Sequence, residues 1–202
     1  MRISLLFLSV VISGVLSAQE PYATQLENHR KEYKSKFLKT DRSPLKEPDL
    51  KNLKFFEADE DYVVQAVFTA TPDAKPFDLP TYSGITKPYV QYGWLDFKLK
   101  GADHRLAVYQ SLQLRVMPKF KTYLFLPFKD LTNGEATYGG GRYMDLEVSD
   151  ISDGKITLDF NKAYNPWCAY SDGYNCPIPP SENHLPIEIN AGEQLYNHTT
   201  EE

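Results

Sequence analysis

The chain has 202 residues, of which 42% are hydrophobic and 24% charged, so there is apolar material for a packed core and no compositional case for disorder. With 22 Lys and Arg against 27 Asp and Glu, the formal charge of −5 argues against nonspecific nucleic-acid binding, which needs surplus cations to displace counterions from phosphate. The same deficit of Lys and Arg argues against docking on an anionic membrane.

Residues Met1 to Ala18 carry one charge, Arg2, and then an apolar run from Ile3 to Leu16 broken only by small residues. This is the composition of a secretory signal peptide, with cleavage expected near Ala18. The run is shorter than the roughly 20 apolar residues that cross a bilayer, and no second hydrophobic stretch follows, so no membrane span is expected. No Cys stands at the expected new N-terminus, which disfavours a lipoprotein. The expectation is one acidic exported domain over residues 19–202, periplasmic or secreted, with a polar tail at 197–202. The tail's Asn197-His198-Thr199 is a formal glycosylation sequon, here read as chance.

Pro21 suits a first helical turn, and Tyr22, Leu26, His29, Tyr33 and Phe37 recur at spacings of four and three. The spacing predicts an amphipathic helix over 21–40, with Glu27, Arg30, Lys31, Glu32, Lys34, Lys36 and Lys39 on solvated faces, ended by a stretch containing Pro44 and Pro48. From Asp61 the pattern changes to short Val, Tyr, Phe and Thr runs separated by Gly, Asn, Asp and Pro. Strands are predicted at 62–70, 89–99, 105–111, 122–128, 138–148, 155–161 and 185–189. Lys100-Gly101, Asn133-Gly134 and Asp153-Gly154 mark tight turns, and Gly93 marks a bulge. These elements predict a mainly β fold, an antiparallel β-sandwich or partly closed barrel with one N-terminal amphipathic helix.

The C-terminal segment is the unusual one, with both cysteines, Trp167 and a cluster of prolines in a loop over 162–186. It carries Gly141-Arg142-Tyr143, Asp159-Phe160-Asn161, Ala163-Tyr164-Asn165-Pro166, Cys168-Ala169-Tyr170, Cys176-Pro177, Pro179-Pro180, Glu182-Asn183 and Ala191-Gly192-Glu193. On this string, and on Phe125-Leu126-Pro127-Phe128 with Asp130-Leu131-Thr132-Asn133-Gly134 upstream, the chain resembles the bacterial family known as domain of unknown function 1684. The resemblance implies a compact β-rich domain and implies little about activity.

A two-residue loop at Asp153-Gly154 pairs Ser152 with Lys155. Counting outward sets Val148 opposite Asp159, Leu146 opposite Asn161 and Arg142 opposite Asn165. Arg142 and Asp159 are then roughly 20 Å apart along the ladder, too far for an ion pair. Polar groups on an apolar face need partners or a ligand. Two readings follow: a network that ties down the proline-rich loop, or a ligand site made by Arg142, Asn161 and Asn165.

For Cys168 and Cys176 the expectation in an exported protein is a disulfide. Thiolate metal binding with His184, and a nucleophilic Cys168 with His184 as base, are the alternatives. Asp159, Asn161, Asn165, Asp172, Asn175, Glu182 and Asn183 offer oxygen ligands for calcium, but their order matches no calcium loop, and no metal or other cofactor is predicted. Gly139-Gly140-Gly141 lacks the Lys of a phosphate loop and reads as a bend.

The favoured functional expectation is a noncatalytic accessory envelope or binding protein. Its recognition surface is the loop with Tyr164, Trp167, Tyr170 and Tyr174, whose rings have flat apolar faces and polar tips. Its candidate binding residues are Arg142, Asp159, Asn161, Tyr164, Asn165, Trp167 and Asn183, and its partner a small molecule, a glycan or an envelope protein. The alternative is a hydrolase or transferase with a site drawn from Arg142, Asp159, Glu182, His184 and Cys168.

Overall fold

The computed structural model describes residues 20–197. The expected signal peptide, its cleavage point and the tail beyond Asn197 lie outside the described residues. One helix, α1 (Tyr22–Leu38), precedes seven strands: β1 (Val63–Ala70), β2 (Phe77–Pro80), β3 (Thr86–Leu99), β4 (Ala102–Ser111), β5 (Tyr123–Phe128), β6 (Arg142–Glu147) and β7 (Lys155–Asp159). All pairings are antiparallel, in the order β6-β5-β4-β3-β1-β7, with β2 appended to β3.

The result is a mainly β fold with one curled sheet, a half-barrel, and the expected helix. Among the described residues all seven strands belong to one sheet, so no second sheet stacks on it as in a sandwich. β1 pairs with both β3 and β7, which keeps six strands in one path from β6 to β7, with β2 off that path on β3.

Alternation along the strands separates two faces. Leu106 and Val108 of β4, Leu124, Leu126 and Phe128 of β5, Met144 and Leu146 of β6, and Ile156 and Leu158 of β7 fill the concave core. Ala107, Tyr109, Phe125 and Tyr143 face the other way and pack with Leu79 and Tyr89. The C-terminal loop covers this convex face. Thr81 bridges Pro177, the Ile178 N–H donates to the Pro80 carbonyl at 2.8 Å, and the Tyr143 hydroxyl donates to the Pro177 carbonyl. A third cluster seats Phe37 of α1 on Leu45, Leu53, Ala169, Tyr170 and Tyr196.

Gly93 sits at a register shift between β3 and β4, the bulge its position predicted, because a Cβ there would meet the Phe68 ring at 2.3 Å and the Thr69 carbonyl at 2.7 Å. Strand β2 was not anticipated, since its alternation of Phe77 and Leu79 with Asp78 lasts only four residues and Pro80 closes it. Residues 138–141 do not extend β6, because the Gly139–Gly141 run turns there, with the Gly141 N–H donating to the Tyr138 carbonyl. β7 stops at Asp159, whose carboxylate accepts from the Asn161 N–H and turns the chain.

Residues 185–189 are not a strand. The Leu185 N–H donates to the Lys129 carbonyl, the Ile187 carbonyl accepts from the Leu131 N–H, and the Ile189 N–H donates to the Asp130 carboxylate. The segment thus runs irregularly beside residues 129–131.

The hairpin register expected from Asp153-Gly154 survives only at its ends. Ser152 faces Lys155, and Tyr143 faces Tyr164 on the same count, one step from the Arg142 and Asn165 pairing. Between them the strands part. Val148–Asp150 forms a 3-10 turn, β6 pairs with β5, and β7 pairs with β1, so Val148 does not face Asp159, nor Leu146 Asn161.

Candidate functional site

The polar residues of the C-terminal motifs divide into a buried framework and a cleft. Arg142 is fully buried. Its Nη2 donates to Asp130 Oδ2 and to the Ile189 carbonyl, both at 2.8 Å, and its Nη1 donates to the carbonyls of Ala191 and Glu193. Burial pulls the Arg142 pKa down, and the Asp130 carboxylate opposes it.

Asn183 works as a rung of the sheet. Its Oδ1 accepts the Ala107 N–H at 2.7 Å, and its Nδ2 donates to the carbonyls of Ala107 and Pro127, joining β4 to β5. Asn161 exchanges hydrogen bonds with the backbone of Asp59, and Asn165 donates to the Gln194 carbonyl from its side chain and to Glu193 Oε2 from its backbone. Tyr170 is buried and donates to Glu193 Oε1 at 2.7 Å. Most of the polar atoms of these groups bond to the chain itself, while Arg142 Nε and Asn165 Oδ1 have no hydrogen-bond partner among the described residues.

The residues of the hydrolase or transferase alternative are dispersed. Arg142 faces Asp130, Glu182 accepts from Tyr109, and His184 Nε2 lies 3.2 Å from the Pro179 carbonyl. Cys168 is joined to Cys176 as a disulfide with Cα atoms 6.2 Å apart, so neither sulfur is a free thiolate for attack or for a metal. Among the described residues no three His, Cys, Asp or Glu side chains gather as a metal site, and the oxygen ligands considered for calcium are spread along the loop. Opening the disulfide with Cys176→Ser should cost about 2.5 kcal/mol by the chain-entropy relation for so short a loop, readable as a lower urea midpoint with unchanged slope.

A cleft of about 1120 Å³ lies where the sheet fails to close. One wall is β6, with Met144, Asp145 and Leu146; the other is β7, with Thr157 and Asp159. One face of α1 roofs it, through Tyr22, Gln25, His29, Tyr33, Lys36 and Phe37, with Thr40 just beyond the helix. Lys119 and Phe120 close one side and Lys162, Tyr164 and Trp167 another. Of the residues singled out from sequence, Asp159, Tyr164 and Trp167 reach this cleft, whereas Arg142, Asn161, Asn165 and Asn183 do not line it.

The cleft's carboxylates, Asp145, Asp150 and Asp159, are occupied, Asp150 by the Glu147 N–H at 2.8 Å. Asp145 Oδ1 accepts from the hydroxyls of Tyr123 and Tyr164 at 2.7 and 2.6 Å. Asp159 accepts from the Tyr22 hydroxyl at 2.9 Å and from Asn161, and pairs with Lys162 at 3.3 Å. Burial and these carboxylates raise the pKa of Tyr22 and Tyr164 and keep both phenols neutral donors. The cations are less committed. Lys36 and Lys119 have no carboxylate within salt-bridge distance among the described residues. Burial, Lys162 and Lys36 together lower the His29 pKa.

Sequence reasoning missed α1 as a wall of the site, because Lys36 on an amphipathic helix reads as solvated surface. It also passed over Asp130 and Glu193, single acids whose burial no local pattern announces.

The architecture defines a class of protein: a curled antiparallel half-barrel with a helix-roofed cleft at its open seam. The chain belongs to the family described as protein of unknown function (DUF1684), whose model matches residues 49–194. A similar solved structure is the solution structure of an uncharacterized protein from Haloarcula marismortui. It is 38% identical, with a TM-score of 0.66, covering 85% of this chain and 92% of that one. No curated protein matches the chain significantly. In the described residues no helix is long and apolar enough to cross a membrane.

Proposed function

We propose that this is an exported, noncatalytic binding protein whose cleft takes an anionic, hydroxyl-rich small molecule, a sugar acid by chemical class. The observation that carries the reading is the difference in commitment among the cleft's charged groups: Asp145, Asp150 and Asp159 each accept hydrogen bonds from the chain, Asp159 also pairing with Lys162, while Lys36 and Lys119 have no carboxylate within salt-bridge distance among the described residues. An incoming carboxylate therefore meets uncommitted cations. Tyr22, Gln25, Thr40 and Thr157 provide hydrogen-bonding groups for hydroxyls, and Phe37, Phe120 and Trp167 provide apolar faces for the C–H side of a sugar ring. His29 has no hydrogen-bonding partner among the described residues, and Asp145, Asp150 and Asp159 are engaged by donors of the chain, so the groups that could act as bases are either unoriented or already occupied. Export rests on the apolar leader at residues 1–18, and the disulfide suits an oxidising compartment.

Calorimetric titration with digalacturonate, and with a neutral disaccharide as control, tests the reading. The acid should bind and the neutral sugar should not. Lys36→Ala with Lys119→Ala should weaken the acid by about tenfold or more at low salt. Equal binding of the two sugars, or an unchanged affinity in the double variant, would overturn it.

A further inference from the structure

Trp167 and Thr40 line a second depression of about 450 Å³ as well as the main cleft, so the two share a wall and form one continuous surface. The second depression is lined by Asp41, Arg42, Lys87, Tyr174 and Asn175, two cations against one carboxylate. Lys87, at the start of β3, is half-buried, and burial lowers its pKa; like Arg42 it has no carboxylate within salt-bridge distance among the described residues. A half-buried ammonium without a counter-charge is costly unless something arrives to meet it. Between the two cationic ends stands Trp167, partly exposed and held edge-on by Tyr174 at a centroid distance of 5.1 Å. Tyr174 is in turn fixed by its hydroxyl, which donates to the Arg42 carbonyl at 2.6 Å, and the disulfide closes the loop that carries Tyr174 and starts at the residue after Trp167. The ring pair is thus a rigid saddle.

We infer that the ligand is an acidic oligosaccharide that crosses this saddle, with one sugar stacked at Trp167, acidic groups on Lys36 and Lys119 in the main cleft, and a further acidic group on Lys87 and Arg42 in the second. The inference rests on the sugar-acid reading of the main cleft and extends it in length. A chain of sugar acids suits this surface because it repeats one charge and one flat apolar face per ring. Charge alone would leave Trp167 unused, and an apolar ligand would leave both cationic ends unmet.

Galacturonate oligomers of two and six sugars, titrated into the folded protein, separate this inference from its parent. The hexamer should bind about tenfold or more tightly than the dimer, through the added charge and stacking contacts. Lys87→Ala and Arg42→Ala should remove that gain and leave dimer affinity unchanged, while Trp167→Ala should weaken both. Circular dichroism and the thermal midpoint of each variant verify folding. A hexamer no tighter than the dimer, or a gain untouched by Lys87→Ala and Arg42→Ala, would overturn the second subsite and leave the main cleft standing. If neither oligomer binds the wild-type protein, both readings fall.

Discussion

Replacing Arg142 by Met is expected to cost about 3 to 5 kcal/mol of folding stability, the usual penalty for stranding one member of a buried ion pair. That is a large share of the roughly 5 to 15 kcal/mol that holds a domain together. Arg142 and Asp130 are both completely buried on their side chains and meet at 2.8 Å. Loss of the guanidinium leaves Asp130 charged without its cation, and strips donors from the carbonyls of Ile189, Ala191 and Glu193. Those bonds hold residues 189–193 beside Asp130, alongside the Glu193 N–H to the Ala163 carbonyl and the Phe56 N–H to the Gly192 carbonyl. Urea unfolding followed by tryptophan fluorescence measures the effect. Adding Asp130→Leu to Arg142→Met should restore part of the lost stability, because the uncompensated charge is then gone. A loss under about 1 kcal/mol for Arg142→Met alone would show that the pair does not organise the loop.

Glu193 should make stability fall as pH rises from about 4.5 to about 7. Burial pushes its pKa up to about 7, against hydrogen bonds from the Asn165 N–H and the hydroxyls of Tyr170 and Tyr33, which favour the carboxylate. Because the folded pKa exceeds the unfolded one, the folded state holds a proton that the unfolded chain has released throughout that window. The contribution is fully present below 4.5, declines through the window and is exhausted above about 7. Its size is roughly 3 kcal/mol, from a shift of about two and a half pKa units. Glu193→Gln cannot ionise, so its stability relative to wild type should rise across the same window. Parallel stability profiles for the two proteins from pH 4 to 8 would rule out a raised Glu193 pKa.

The legibility of the fold followed the range of the interactions that make it. α1 was visible because Tyr22, Leu26, His29, Tyr33 and Phe37 recur at helical spacing, and it forms from Tyr22 to Leu38. The turn at Asp153-Gly154 was visible because it needs positive φ, and both residues have it, at 51° and 70°. The path of the strands was not visible. A local count from that turn placed β6 beside β7, and it is right where Ser152 meets Lys155 and where Tyr143 meets Tyr164. It fails between them because the 3-10 turn at Val148–Asp150 parts the two strands, leaving β6 paired with β5 and β7 with β1 on their other edges.

The same holds for the site. Trp167 and Tyr164 stood out as aromatics in a proline-rich loop, and both line the cleft. Arg142, Asn161 and Asn183 stood out as polar groups among apolar ones, but the chain itself satisfies most of what they offer. Asp130, the acid that answers Arg142, lies 12 positions away along the chain with β6 still to come, and no spacing rule connects the two.

A half-barrel has two exposed rims, and bare strand rims invite neighbouring molecules to add themselves on. Here the rims of β6 and β7 face one another across the cleft, pinned together by Tyr143 with Tyr164 at one end and by Ser152 with Lys155 at the other. Each rim is screened by its opposite number and by the helix above. The opening is therefore too fenced to recruit a strand from another copy. What reaches into the gap between the two rims must be smaller than a strand.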